Sequence, residues 1–201
     1  MGRILFRNKG LTLIELLVAL VISSILVAGL YRTFIRQQKT YTIQDQVADM
    51  QQNARAAMDI ITRHVRMAGY DPQKTGIFGF QATASNGRST DSANIAFTID
   101  YNEDGVLDNN EHIAFKLDGL LLKKYVTGQW VTMAENMESL SFLYKMSDGT
   151  ETSSPSNPAN IRMVKATIKA KTSMKDPELG SGGGYRTRVL TSSIKVRNMG
   201  L

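Results

Sequence analysis

The N-terminal part of the chain contains an apolar segment that no charged residue interrupts between Leu16 and Tyr31. The preceding residues 1–10 have no acidic residue but three basic ones: Arg3, Arg7 and Lys9. A short basic stretch followed by an apolar run and then a polar one is typical of a secretory signal or a membrane anchor. Because the basic residues precede the apolar run, we expect the N-terminus to stay in the cytoplasm.

Helical spacing continues beyond the apolar run. Apolar residues there recur at steps of three and four, which places one stripe along a helix: Val47, Met50, Ala54, Ala57, Ile61, Val65 and Ala68. Gly69 and the pair Asp71 and Pro72 are expected to end this helix. A single helix over residues 11–68 would be about 87 Å long at 1.5 Å per residue, so residues 11–31 are predicted to lie in the membrane and the rest to project from it.

One carboxylate, Glu15, lies near the start of the apolar run. A charge inside a membrane segment costs roughly a few kcal/mol unless it is paired or reaches the interface. One interpretation is therefore that Glu15 snorkels to the cytoplasmic interface. The other needs a positive partner, but no basic residue lies between Lys9 and Arg32. Cleavage after Gly10 would create an amine on Leu11, and this amine, from the same chain or a neighbouring one, could pair with Glu15.

The stretch KGLTLIE followed by LLVALVISSILVAG resembles the N-terminus of type IV prepilins, which pilins share with type II secretion pseudopilins. The resemblance implies that a membrane-embedded prepilin peptidase cleaves between Gly10 and Leu11 and N-methylates Leu11. It also implies that Glu15 acts in recruitment and docking into a filament. Leu11 departs from the family pattern, because phenylalanine is commonest at that position.

Residues 52–72, QNARAAMDIITRHVRMAGYDP, resemble the helix end of minor pilins of the PilW type. The C-terminal stretches VKATIKAKTS and YRTRVLTSSIKVRN resemble that family and its relative, the pseudopilin J component. The resemblance implies a minor pilin that primes type IV pilus assembly and lies at or near the filament tip. Its N-terminal helix would contact other minor pilins and the major pilin. We expect a single-pass inner-membrane protein before assembly and a pilus protein at the cell surface afterwards.

The apolar period changes to two beyond residue 72, which predicts strands. The alternation is present in NIAFTID, HIAFKLD, SLSFLYK and IRMVKATIKAK and again in residues 189–196. Leu120, Leu122, Tyr125 and Val126 indicate a further strand, which a tight turn at Asp118 and Gly119 would connect to HIAFKLD. Five or six antiparallel strands are therefore expected to pack one apolar face on the outer half of the helix. The predicted fold class is α+β, with a leader (1–10), a long N-terminal helix (11–71) and a β-rich head (72–201).

Residues 100–111, DYNEDGVLDNNE, match the spacing of oxygen ligands in a calcium loop of the EF-hand type, with Gly105 at the sharp turn. The expected ligands of Ca²⁺ are the side chains or carbonyl oxygens of Asp100, Asn102, Asp104, Val106, Asp108 and Glu111. The predicted flanks are strands, whereas an EF-hand has helices. The alternative is an acidic turn rich in Asp, Asn and Gly. Calcium is the one cofactor predicted, and no organic cofactor is expected.

No residue set in the sequence supports catalysis. His64 lies between Arg63 and Arg66, and His112 follows Glu111, so neither has the partners of a nucleophile and its base. The prediction is that the protein is not an enzyme. Lys and Arg total 24 against 18 Asp and Glu, a net charge of +6, and half of that excess belongs to the leader. Charge alone therefore does not favour a nucleic-acid partner.

Two alternatives stay open. The N-terminal features are shared by minor pseudopilins, which would prime a short periplasmic pseudopilus of a type II secretion system. The head is also compatible with an adhesin or ligand-binding module displayed at a tip, which would use the loops 145–160 and 176–187. These two stretches are rich in Ser, Asn, Pro or Gly and are predicted to be irregular.

Overall fold

The computed structural model describes residues 10, 12–84, 87–180 and 182–199. One long helix, α1, runs from Leu13 to Met67. The chain divides into two compact units, Met1–Asp45 and Gln46–Leu201, and α1 contributes to both. A long N-terminal helix and a C-terminal antiparallel head confirm the α+β class expected from the sequence.

The described part of the second unit contains ten strands. They are β1 (Thr83–Ala84), β2 (Arg88–Ser89), β3 (Ile95–Thr98), β4 (His112–Asp118), β5 (Leu121–Val126), β6 (Gln129–Ala134), β7 (Met137–Met146), β8 (Glu151–Thr152), β9 (Ile161–Lys171) and β10 (Thr187–Lys195). Within the described residues the strands form a two-stranded ribbon, β1-β2, and two four-stranded sheets, ordered β3-β4-β5-β6 and β10-β9-β7-β8. Every pairing in them is antiparallel. The nine-residue strand β10 is thus an edge strand.

The larger hydrophobic core joins the outer part of α1 to both sheets. The helix contributes the stripe predicted from its spacing: Met50, Ala54, Ala57, Ile61, Val65 and Ala68 are buried, and Val47 packs against them. Facing them are Phe97 and Phe115 from the first sheet and Phe142 and Ile168 from the second, all nearly inaccessible to water. Each such large apolar side chain contributes about 1.5–3 kcal/mol when buried, so this core holds the head together.

The predicted number of strands was too low, and the strands form two sheets rather than one. Strand β6 escaped prediction because its sequence, QWVTMA, is largely exposed and lacks a buried alternation. Its hairpin with β5 turns at Thr127 and Gly128, where φ is 49° and 83°. Two consecutive positive φ values are characteristic of a type I′ hairpin turn, but threonine is an uncommon residue for that conformation.

Helix α1 ends at Met67, four residues before the end of the predicted helical segment 11–71 and shortly before Gly69, which was expected to end it. Gly69 has φ of 72°, the left-handed conformation that commonly ends a helix. Its N–H donates to the carbonyl of Thr98 at 3.0 Å, which ties the helix end to β3. A Cβ at this position would lie 2.6 Å from the sulfur of Met199, so the close approach as well as the φ value requires glycine.

Candidate functional site

Thr12 and Glu15 cap the start of α1. The Glu15 carboxylate accepts hydrogen bonds from the Thr12 N–H and hydroxyl, both at 2.8 Å. The Glu15 N–H donates in return to the Thr12 hydroxyl at 3.3 Å. This reciprocal pair is a capping box, which satisfies two backbone N–H groups that a helix start leaves without intrahelical partners. Glu15 therefore lies in the first turn, where the helix dipole favours a negative charge.

Capping is a role of Glu15 beyond the two interpretations that its place in the apolar run suggests. The signal was available, because Thr12 and Glu15 have the spacing T-x-x-E directly before an apolar run. The expected cleavage site falls between Gly10, which is described, and Leu11, which lies outside the described residues together with Arg3, Arg7 and Lys9. Processing at this bond and methylation of Leu11 stay predictions.

The apolar part of α1 has no protein partner among the described residues. From Leu13 to Leu30 its large side chains are exposed, for example Leu13 at 81% and Leu30 at 71%. This helix is long and apolar enough to cross a membrane, with a mean hydropathy of 2.6 in its most apolar stretch. Such exposure of apolar surface is expected where lipid or neighbouring helices cover it. The helix is therefore consistent with membrane anchoring.

The predicted calcium loop connects β3 to β4, and its two ends are buried. Asp100 and Glu111 are both inaccessible to solvent. The Glu111 carboxylate accepts from the Tyr101 N–H and the Asp108 N–H, each at 2.9 Å. Asp100 accepts from the Gly105 N–H at 3.1 Å through Oδ2, whereas its Oδ1 is buried without a hydrogen-bond partner. Hydrogen bonds to the two buried carboxylates thus connect the ends of the loop with each other and with its middle.

The exposed side chains of the loop also converge. Asn102 Nδ2 donates to Asp104 Oδ2 at 2.9 Å and to Asp108 Oδ2 at 3.4 Å. The N–H of Val106 donates to Asp104 Oδ1 at 2.8 Å. In the part of the chain that the structure describes, no three His, Cys, Asp or Glu side chains are already gathered for a metal ion. The predicted ligands are therefore brought into one loop but not into a finished coordination shell.

Two residues of the segment that follows α1, Tyr70 and Gln73, form hydrogen bonds with the loop. The hydroxyl of Tyr70 donates to the Glu103 carboxylate at 2.9 Å, and Gln73 Nε2 donates to the Glu103 carbonyl at 2.7 Å. The hydrogen bond that Tyr70 donates to Glu103 raises the pKa of Tyr70, because the carboxylate acceptor favours the protonated phenol. A Cβ on Gly105 would lie 2.9 Å from the Gln73 side chain, so this glycine allows the close contact.

Both histidines are half-buried and contact neighbouring residues of the head. The His64 ring lies edge-on to Phe115 with centroids 5.8 Å apart. Its Nδ1 is 2.8 Å from the Ile60 carbonyl and its Nε2 is 2.8 Å from Lys124 Nζ. Because a carbonyl only accepts, Nδ1 carries the proton and Nε2 accepts from Lys124. His112 is half-buried, and its Nδ1 lies 3.3 Å from the amide nitrogen of Gln81.

The glycine-rich segment before β10 is braced by a buried carboxylate. Asp176 is 2% exposed and contacts the Arg186 guanidinium through Nε at 2.8 Å and a terminal nitrogen at 2.7 Å. The N–H of Glu178 and the charge of Arg186 lower the pKa of Asp176. This arrangement fixes the base of the predicted loop 176–187 and places Arg186 in an ion pair rather than on a free basic surface.

Two family models match this chain, one over the outer helix and most of the head and the other over the N-terminal segment. Residues 43–187 match the model of the family described as prepilin peptidase-dependent protein B. Residues 5–31 match the model described as the prokaryotic N-terminal methylation motif. These are families of pilin-like structural proteins rather than enzymes. No curated protein and no solved structure gives a match.

Proposed function

Because the chain belongs to the family of prepilin peptidase-dependent protein B, it is a pilin-like protein, and we propose that it acts as a minor pilin of the PilW type. In this proposal the prepilin peptidase cuts between Gly10 and Leu11 and methylates Leu11. The mature chain then stays in the inner membrane through α1 until it joins other minor pilins. Together they prime a type IV pilus, and the protein lies at or near the tip.

The observation that carries the proposal is the start of α1. Glu15 is held at the helix terminus by Thr12, and the apolar surface that follows is exposed along its length. A helix of this kind has two ways to cover its surface, lipid before assembly and neighbouring helices afterwards. Apolar packing would drive the transfer, and a carboxylate paired with an N-terminal amine would set the register between helices.

Mass spectrometry of filaments sheared from the native cells, compared with the membrane fraction, tests the proposal. We expect the protein in the sheared fraction at low abundance, beginning at N-methylated Leu11. A Gly10→Val variant serves as a control for processing, because a side chain at this position should block the peptidase and keep the protein in the membrane fraction. A chain that begins at Met1 in wild-type cells would contradict processing altogether.

The same experiment separates the pilus from the secretion system. A protein that begins at N-methylated Leu11 but stays with the envelope would favour a minor pseudopilin. The N-terminal methylation motif suits both assignments, so it does not choose between them. Deleting the major pilin gives a second readout: a minor pilin should disappear from the sheared fraction, whereas the amount of a pseudopilin in the envelope fraction should not change.

A further inference from the structure

The loop at residues 100–111 carries an excess of negative charge. It contains five carboxylates, Asp100, Glu103, Asp104, Asp108 and Glu111, and no Lys or Arg. None of the ion pairs found between described residues includes a carboxylate of this loop. Like charges close together disfavour the ionised forms unless a cation or hydrogen bonds offset the repulsion. Hydrogen bonds within the loop serve most of these oxygens, but not all.

Among the carboxylate oxygens of the loop, Asp100 Oδ1 is the one that is buried and also lacks a hydrogen bond within the described residues. The side chain is inaccessible to solvent, and Oδ1 has no hydrogen-bond partner. Its sister atom Oδ2 accepts from the N–H of Gly105, in the middle of the loop, so the carboxylate is turned toward the loop interior. A buried ionised oxygen without a partner is costly, and a bound cation is one of the partners that removes this cost.

Asn102 marks where such a cation would lie. Its side-chain amide donates to both Asp104 and Asp108, so the positive end of a neutral dipole holds two carboxylates together. A cation at that place would do the same more strongly. The contacting atoms of Asp104 and Asp108 are oxygens, the ligand type that calcium prefers.

We propose that residues 100–111 bind one Ca²⁺ ion. Asp100 and Glu111 form its fixed, buried side, and Asp104, Asp108 and the Val106 carbonyl close over it from the exposed side. Asn102 joins them once its amide turns so that Oδ1, which now accepts from the Asp104 N–H, replaces Nδ2 at the ion. Glu111 keeps its hydrogen bonds, since each carboxylate oxygen has a second lone pair for the ion. Calcium fits better than magnesium because it accepts six to eight oxygens in irregular geometry, whereas magnesium demands a near-ideal octahedron.

The consequence is local order in the head. Glu103 connects the loop to Tyr70 and Gln73, directly after α1. An ion in the loop would therefore stabilise the junction between the helix end and the first sheet. An isolated loop of this kind is expected to bind on the order of 10⁻⁴–10⁻³ M, the range of extracellular calcium modules. The binding itself does not depend on whether the protein is a pilin or a pseudopilin.

Equilibrium dialysis with radioactive Ca²⁺ and thermal unfolding of the full chain in detergent test this proposal. After chelation, wild-type protein should bind one ion per chain with half-saturation in that range and unfold at a higher temperature. Asp104→Asn should weaken binding at least about tenfold, because it removes one ligand charge from an exposed position. Asp148→Asn is the matched control: Asp148 is also exposed and also accepts a turn N–H, from Thr150 at 2.9 Å.

Three results would overturn the proposal. One is the absence of binding and of any thermal shift up to about ten times the expected half-saturation. Another is an equal shift with Mg²⁺, which would indicate general screening of the carboxylates rather than a calcium site. The third is equal weakening by Asp104→Asn and Asp148→Asn, which would place the ion elsewhere on the surface.

Discussion

At the scale of single residues, Glu15 has a capping role that the structure shows and a pairing role that is proposed. As part of the capping box it stabilises the helix start, and as a charge it is available to an N-terminal amine. The capping role needs only a hydrogen-bond acceptor, so glutamine also serves it. The pairing role needs the negative charge. The two roles therefore respond differently to substitution.

We predict that Glu15→Gln impairs filament incorporation as strongly as Glu15→Ala. Both variants lose the charge, but only alanine loses the carbonyl-type acceptor for the Thr12 N–H. Incorporation is measured in sheared filaments and membrane insertion by fractionation, and insertion should be unchanged in both. If Glu15→Gln assembles normally while Glu15→Ala does not, the role of Glu15 is capping alone and the pairing hypothesis is wrong.

The lowered pKa of His64 predicts how the stability of the head depends on pH. Burial lowers its pKa first, and the nearby charges of Lys124 and Arg63 lower it further, although the Ile60 carbonyl acts in the opposite direction. Because the pKa is lower in the folded than in the unfolded chain, the unfolded chain takes up the proton first as the pH falls. The contribution of His64 is therefore complete above about pH 6.5 and decreases below it.

The measurement is urea unfolding at pH 7.5 and pH 5.5 for wild type and His64→Gln. Wild type should lose more stability on acidification, because glutamine has no proton to gain and still offers an acceptor to Lys124. His112 also has a pKa lowered by burial, so only the difference between the two proteins reports on His64. Parallel losses in both proteins would show that the His64 contact with Lys124 does not control the pH response.

At the scale of elements, the end of α1 is determined by one residue. Gly69 combines a positive φ, a hydrogen bond to β3 and contact with Met199. Strain from a side chain in the left-handed region costs about 1–2 kcal/mol, and overpacking typically adds about 1–3 kcal/mol. The helix end thus depends on backbone conformation and on packing together.

Gly69→Ala should therefore destabilise the head more than Gly119→Ala does. Gly119 also has a positive φ, of 61°, but a Cβ there meets nothing within 4 Å, so it reports strain alone. We expect the free energy of unfolding to fall by about 1–2 kcal/mol in Gly119→Ala and by about 2–5 kcal/mol in Gly69→Ala. Equal effects in chemical unfolding would mean that the Met199 side chain moves away without cost.

At the scale of the whole molecule, the core that α1 shares with both sheets predicts cooperative unfolding of the head. Most buried apolar side chains of the two sheets belong to this one cluster with α1, whereas a smaller second cluster, Ala96, Ala114 and Tyr125 with Trp130 packed against it, lies on the first sheet alone. Trp130 lies on β6 and reports the first sheet, while hydrogen exchange of β9 amides reports the second. The two urea midpoints should coincide. Separate midpoints would show that the two sheets unfold independently.

Much of this arrangement could be predicted from the sequence. The helix stripe and the strands β3, β4, β7 and β9 were identified because their buried residues keep a regular period. Strand β6 and the two-residue strands were missed because tertiary pairing, rather than periodicity, defines them. At the helix start, the T-x-x-E spacing of a capping box is present in the sequence, but the apolar run around Glu15 favours an interpretation based on its charge. For the acidic loop, spacing gave the oxygens and the structure added the burial of Asp100 and Glu111.

The position of strand β10 at the edge of its sheet affects what happens when several heads lie close together. As an edge strand of nine residues it offers unpaired backbone groups that could pair with a strand from another molecule. Its exposed side chains include Arg188 and Lys195, and it carries no acidic residue. Two such edges brought together would bring like charges close to each other, which is unfavourable. Heads held close together would therefore resist strand-to-strand aggregation at this edge.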